Sequence, residues 1–131
     1  MQPSEPFIVE NKGGIAWLTL NRPEKHNAMD LDFFAVLPQH LQNLTDDSDV
    51  RVVVIKAAGK SFSAGTDLSS VAAIVGSGGA DERRKLHRKI LALQEGINAV
   101  ENCCKPVIVA IHGHCIGGAV DLICACDIRI A

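Results

Sequence analysis

The sequence predicts an α/β domain in which strand, strand, helix units repeat, and three observations predict it. Val52-Val53-Val54-Ile55 and Val107-Ile108-Val109-Ala110-Ile111 are short, β-branched apolar runs that read as buried strands. Each is followed by a glycine-bearing turn, Phe62 to Leu68 and His112 to Leu122. Two longer stretches, one after Asp30 and one after Asp81, carry apolar residues at intervals of three and four, the helical period.

Phe7-Ile8-Val9 and Ile15 to Leu20 are β-prone runs divided by Asn11-Lys12-Gly13-Gly14, so they read as a hairpin. Asp30 is placed to cap a helix in which Leu31, Phe34, Leu37, Leu41 and Leu44 form one face. Pro38 lies inside that helix and should kink it, because it removes a backbone donor and crowds the preceding turn. After the Val52 strand, Asp67 is placed to cap a short helix from Leu68. Gly76-Ser77-Gly78-Gly79-Ala80-Asp81 reads as a flexible loop. In the long helix that follows, Leu86, Ile90, Leu93, Ile97 and Val100 form an apolar stripe, while Arg83, Arg84, Lys85, Arg88 and Lys89 face water or, as a weaker reading, the phosphates of a ligand. The Val107 strand, the second turn and a helix holding Asp121 come next, and Ile128-Arg129-Ile130-Ala131 reads as a strand cut off in progress. No linker, repeat or low-complexity tract divides these 131 residues.

Composition narrows the function classes. With 47% hydrophobic and 21% charged residues and a formal net charge of -2, there is no basic excess to suggest nucleic acid. No apolar run approaches the roughly 18 to 20 residues of a membrane span, and Met1 to Pro6 lacks the apolar core of a signal peptide and the Arg-rich bias of a transit peptide. Five cysteines make an odd count without a C-x₂-C pair, and most sit in apolar segments, so they read as structural thiols rather than disulfide or metal partners. His112 and His114 alternate at a strand end, a poor metal pair, and read as packing or loop hydrogen-bonding residues. No metal site is expected.

The two turns carry the chemistry. A glycine-rich turn entering a helix exposes unpaired N–H groups where the helix dipole adds positive charge, which suits an anion. Two such turns brought together can aim two donors at one developing oxyanion, each worth roughly 3 to 4 kcal/mol in the transition state. Asp121 lies one helical turn beyond Gly118, within reach of the same reacting group. The bland reading keeps Gly117 and Gly118 as packing glycines and Asp121 as a first-turn acid stabilised by the dipole.

The order and spacing of several segments decide between these readings. They are Asn21-Arg22-Pro23 with Asn27-Ala28-Met29, Asp49 to Val54, Phe62 to Leu68, Lys105-Pro106-Val107-Ile108 and Gly113 to Asp127. Together they resemble the N-terminal half of a crotonase, the enoyl-CoA hydratase/isomerase superfamily, and Cys115 to Leu122 followed by Ala125 to Arg129 most resembles the Δ3,5-Δ2,4-dienoyl-CoA isomerases. A typical hydratase carries Glu at the position of Asp121. The resemblance implies a crotonase-like ββα spiral, with the backbone N–H groups of Thr66 and Gly118 as an oxyanion hole and Asp121 handling a proton. Thr66 stands where close relatives usually carry an apolar residue. Ala64 matches the position whose backbone meets the adenine of coenzyme A, and Lys25 lies in the loop that approaches its phosphates.

The implied reaction converts 3,5-dienoyl-CoA to 2,4-dienoyl-CoA in unsaturated fatty-acid β-oxidation, with enoyl-CoA hydration as the alternative. No cofactor is implied, since coenzyme A is carried by the acyl-CoA substrate. The family also implies a homotrimer or hexamer in peroxisome or mitochondrial matrix. Its domain is about twice this length, and its other proton-handling carboxylates follow the position of Asp121. Residues 1–131 are therefore expected to be the N-terminal part of a single, truncated crotonase-like domain. A third reading is an inactive short form that binds acyl-CoA or full-length subunits. A serine hydrolase would need G-x-S-x-G and a nucleotide-binding module G-x-G-x-x-G after a strand; neither pattern is present.

Overall fold

A computed structural model describes residues 5–131. Among these residues, five strands form one sheet in sequential order: β1 (Phe7–Lys12), β2 (Ile15–Leu20), β3 (Val52–Ala57), β4 (Val107–Ala110) and β5 (Ile128–Ile130). The first two make the expected antiparallel hairpin, with Phe7 opposite Leu20 and Lys12 opposite Ile15 across a two-residue Gly13-Gly14 turn. The remaining pairs are parallel, which requires a crossover between them. Those crossovers carry α1 (Leu31–Asp46), α2 (Leu68–Ile74) with α3 (Ala80–Glu101), and α4 (Gly118–Ala125).

One sheet face, α1, Val100 of α3 and Ala119 and Leu122 of α4 share one core. Alternation in β2 buries Ala16, Leu18 and Leu20, and Val53, Ile55, Val107 and Val109 continue that apolar surface. Phe33, Phe34, Leu37, Leu41 and Leu44 of α1 are buried within the same cluster, as the periodicity predicts for most of them. Leu31, expected on that face, is instead exposed. Asp30 caps α1 by accepting the Phe33 N–H at 2.9 Å. At the other end, Lys105 Nζ donates to the carbonyls of Leu44 (2.8 Å) and Asp47, which satisfies terminal acceptors of the helix. Asp127 fixes the start of β4 by exchanging two bonds with Val107, whose N–H reaches Asp127 Oδ2 at 2.8 Å.

Pro38 does not interrupt α1, which runs unbroken from Leu31 to Asp46. The carbonyl that Pro38 leaves without its helical donor is that of Phe34. It faces buried Gly96 of α3, where a Cβ would stand 2.9 Å from the Phe34 oxygen. The missing side chain lets the two helices approach closely.

The apolar stripe of α3 is only partly covered. Gly96 and Val100 are buried and Leu93 and Ile97 pack at the edge of the core, but Ile90 is 42% exposed. Arg83, Arg84, Lys85, Arg88 and Lys89 are exposed, as expected. No helix among the described residues is long and apolar enough to cross a membrane.

All five cysteines are free, and they differ in setting. Cys126 is buried, and burial pushes its thiol up to about 12. Cys115 is half-buried and raised for the same reason, whereas Cys104 and Cys124 are exposed rather than packed.

Candidate active site

The site is built where the two turns cross. Phe62 N–H donates to His112 O (2.8 Å), Ser63 N–H to His114 O (3.0 Å) and Ile116 N–H to Ser63 O (3.2 Å), so the turns run side by side as a short parallel ladder. Ser63 is fully buried and pins the first turn: its hydroxyl donates to Asn27 O at 2.8 Å and accepts the Gly65 N–H at 3.0 Å. Asn27 is buried as well; its amide donates to the carbonyls of Ala58 (2.7 Å) and Ser61 (3.1 Å) and accepts the Arg22 N–H (2.9 Å). No polar side-chain atom among the described residues is buried without a partner.

Two glycines make the crossing possible. Gly65 sits at φ 89°, and a Cβ there would run into the Ile116 carbonyl oxygen. Gly118, the first residue of α4, lies so close to Thr66 that a Cβ would stand 2.5 Å from Thr66 Oγ1 and 2.9 Å from Met29 Cε. Thr66 is paired with Met29 in a parallel bridge, in which Met29 N–H donates to Gly65 O and Asp67 N–H to Met29 O, each at 2.8 Å. That pattern turns the N–H of Thr66 away from Met29. Neither it nor the N–H of Gly118 donates a hydrogen bond within the described chain.

Thr66, Gly118 and Asp121, singled out separately in the sequence, line one cavity of about 140 Å³. Phe34, Leu93 and Ile97 supply its apolar wall. Asp121 is exposed and, among the described residues, is the sole ionisable side chain in that lining. A cavity with two free N–H groups, an apolar wall and one carboxylate can polarise a carbonyl and exchange one proton with the group beside it.

Ala64 lines a second cavity of about 280 Å³, together with His26, Ser61, His114 and Ile116. Its N–H donates to His26 O at 2.9 Å. Lys25 ends a 3₁₀ turn (Pro23–Lys25), is exposed, and lines neither cavity; its neighbour His26 does. Both loop histidines bond locally, His112 Nε2 with Gly59 O at 2.8 Å and His114 Nδ1 with Ser61 Oγ at 3.3 Å. Among the described residues, no three His, Cys, Asp or Glu side chains cluster as metal ligands would.

Asp67 caps α2, as expected, and Arg22 meets both caps, a link that the sequence does not announce. The Ser69 hydroxyl, then the Ser69 and Ser70 N–H groups and Arg22, hold the Asp67 carboxyl below the ordinary carboxylate range against the opposing effect of burial.

A sequence profile described as enoyl-CoA hydratase/isomerase matches residues 10–131. A peroxisomal Delta(3,5)-Delta(2,4)-dienoyl-CoA isomerase of Arabidopsis thaliana is 50% identical over 117 residues, which is 86% of this chain and 42% of that protein. The mitochondrial protein of the same description from Homo sapiens is 47% identical over 114 residues, 84% of this chain and 35% of that one. The chain therefore spans less than half the length of either relative. The crystal structure of an enoyl-CoA hydratase from Mycobacterium smegmatis superposes with a TM-score of 0.85 at 26% identity, covering 95% of this chain and 46% of that one.

Proposed function

The chain belongs to the enoyl-CoA hydratase/isomerase family, and from that membership we propose that it carries the thioester-activating part of an acyl-CoA isomerase site, whose reaction converts 3,5-dienoyl-CoA to 2,4-dienoyl-CoA. The observation that supports this most is the meeting of Thr66, Gly118 and Asp121 on one cavity, with both backbone N–H groups unpartnered. The thioester oxygen gains negative charge as a proton leaves the carbon beside the carbonyl, and the two N–H groups stabilise it there. Each donor contributes roughly 3 to 4 kcal/mol because it is already aimed before the charge develops. Asp121 takes up or returns one of the two protons.

The double-bond shift also needs a proton delivered at the far end of the conjugated system. Asp121 is the single carboxylate lining this cavity, so the 131-residue chain binds the thioester and turns it over slowly or not at all by itself. Ala64 and the cavity around it take the adenine of coenzyme A, with exposed Lys25 near the phosphates. The Arabidopsis relative is named as peroxisomal and the human one as mitochondrial, which supports peroxisome or mitochondrial matrix as the compartment.

The test is conversion of 3,5-dienoyl-CoA followed by the rise of the conjugated product's ultraviolet absorbance, beside binding of the product. The expected result is binding by the chain, with Asp121→Asn removing whatever turnover it shows while binding persists. Turnover that Asp121→Asn leaves intact would remove the proton-handling role. Hydration of a 2-enoyl thioester is the second reading, favoured by the hydratase name of the Mycobacterium smegmatis structure, and it is recognised by a 3-hydroxyacyl product.

A further inference from the structure

Arg22 lies outside both cavities, yet its contacts lead to one of the two donors. Its guanidinium meets Asp30 at 2.6 Å and Asp67 at 3.9 Å and donates to Ala28 O at 2.9 Å. Both carboxylates divide their oxygens. Asp30 caps α1 with Oδ1 and turns Oδ2 to Arg22. Asp67 Oδ1 accepts from the Ser69 N–H, the Ser69 hydroxyl and the Ser70 N–H, while its Oδ2 faces the same cation. Residues 30 and 67 directly follow Met29 and Thr66, the two members of the bridge that aims the Thr66 N–H.

We infer that Arg22 is a positioning residue: by holding the caps of α1 and α2 to one cation, it fixes the Met29–Thr66 bridge and so the direction of the Thr66 N–H. Its functional consequence rests on the oxyanion role proposed above. The Arg22 side chain is 18% exposed and its partners 22% and 19%, so these pairs are less screened than those on an open surface. Without the guanidinium, the Oδ2 atoms of Asp30 and Asp67 lose the cation they share, and with it the tie between the residues that follow Met29 and Thr66. A displacement of about 1 Å is enough to spoil an aimed donor. Lysine keeps the charge but lacks the fork that reaches two carboxylates at once.

Three readouts on wild-type, Arg22→Gln and Arg22→Lys chains test this: product dissociation constant, infrared carbonyl stretch of bound 2,4-dienoyl-CoA labelled with ¹³C at the thioester, and amide hydrogen exchange. Wild type is expected to shift the carbonyl stretch to lower frequency. Arg22→Gln is expected to weaken binding by less than about tenfold, lose most of that shift, and exchange the Met29 and Asp67 amides faster while those of Phe62 and Ser63 stay protected. Arg22→Lys should recover part of the shift. Full retention of the shift in Arg22→Gln overturns the inference, as does an equal loss of protection throughout the chain, which is the signature of a general stabilising role. If Arg22→Gln does not fold, Arg22→Lys decides: an intermediate shift supports the inference and an undiminished one overturns it. A wild-type chain that binds product with no carbonyl shift removes the oxyanion reading instead, and exchange at Met29 and Asp67 still reports whether Arg22 holds the bridge.

Discussion

At Gly65, the backbones of the two turns meet with no room for a side chain. Gly65→Ala combines a strained φ with a clash against the Ile116 carbonyl, so it should cost about 3 kcal/mol, near the upper end for single substitutions; a urea melt of the variant measures it. Asp67→Ala removes the α2 cap and should cost about 1 kcal/mol in the same experiment. The Asp67 pKa is lowered in the folded chain, so its contribution is complete above the ordinary aspartate value of about 3.9 and is lost as pH falls through the lower folded value. The difference between wild type and Asp67→Ala should therefore shrink in acid melts below that range. Thiol labelling makes a further prediction: Cys104 and Cys124 should alkylate first, and Cys126 only on unfolding, as read by peptide mass spectrometry. The caps were legible in the sequence because an N-cap is a local signal, one acid ahead of one apolar period. Arg22 was not, because its partner Asp67 lies far along the chain and only the fold brings them together.

Among the elements, α1 and α3 show what periodicity conveys. Spacing of three and four identifies an apolar face, but it does not say how much of that face finds a partner. Leu41 and Leu44 are buried by the sheet cluster, whereas the stripe of α3 loses cover toward Ile90. The contact at Gly96 was invisible for another reason: a glycine in a helical pattern reads as a propensity defect until a neighbour is seen to need the space. Gly96→Ala gains about 1 kcal/mol of helix propensity and meets the Phe34 carbonyl at 2.9 Å. Overpacking costs about 1 to 3 kcal/mol, so the variant should be less stable on balance, and a thermal melt gives the sign. The two turns were legible as a candidate site because glycines, strand ends and family order coincide there. What the sequence left open was their mutual approach, which depends on Ser63 and Asn27 as buried struts.

Across the described residues, the β5 edge of the sheet is an exposed feature. Among the described residues, strand β5 pairs only with β4, and Ile128 and Ile130 are 51% and 57% exposed. An apolar edge strand is a template for pairing with another chain. In the 131-residue chain taken by itself, Ile128→Lys with Ile130→Lys should reduce concentration-dependent association in sedimentation without altering the far-ultraviolet circular dichroism. Sequential strand order has a further effect. Each new strand lies against the one made before it, from Ile15 against Val52 to Ile108 against Ile128. From β2 onward, each of these strands therefore leaves the ribosome after the neighbour it docks against. The longest pause falls between β3 and β4, while α2 and α3 are being translated.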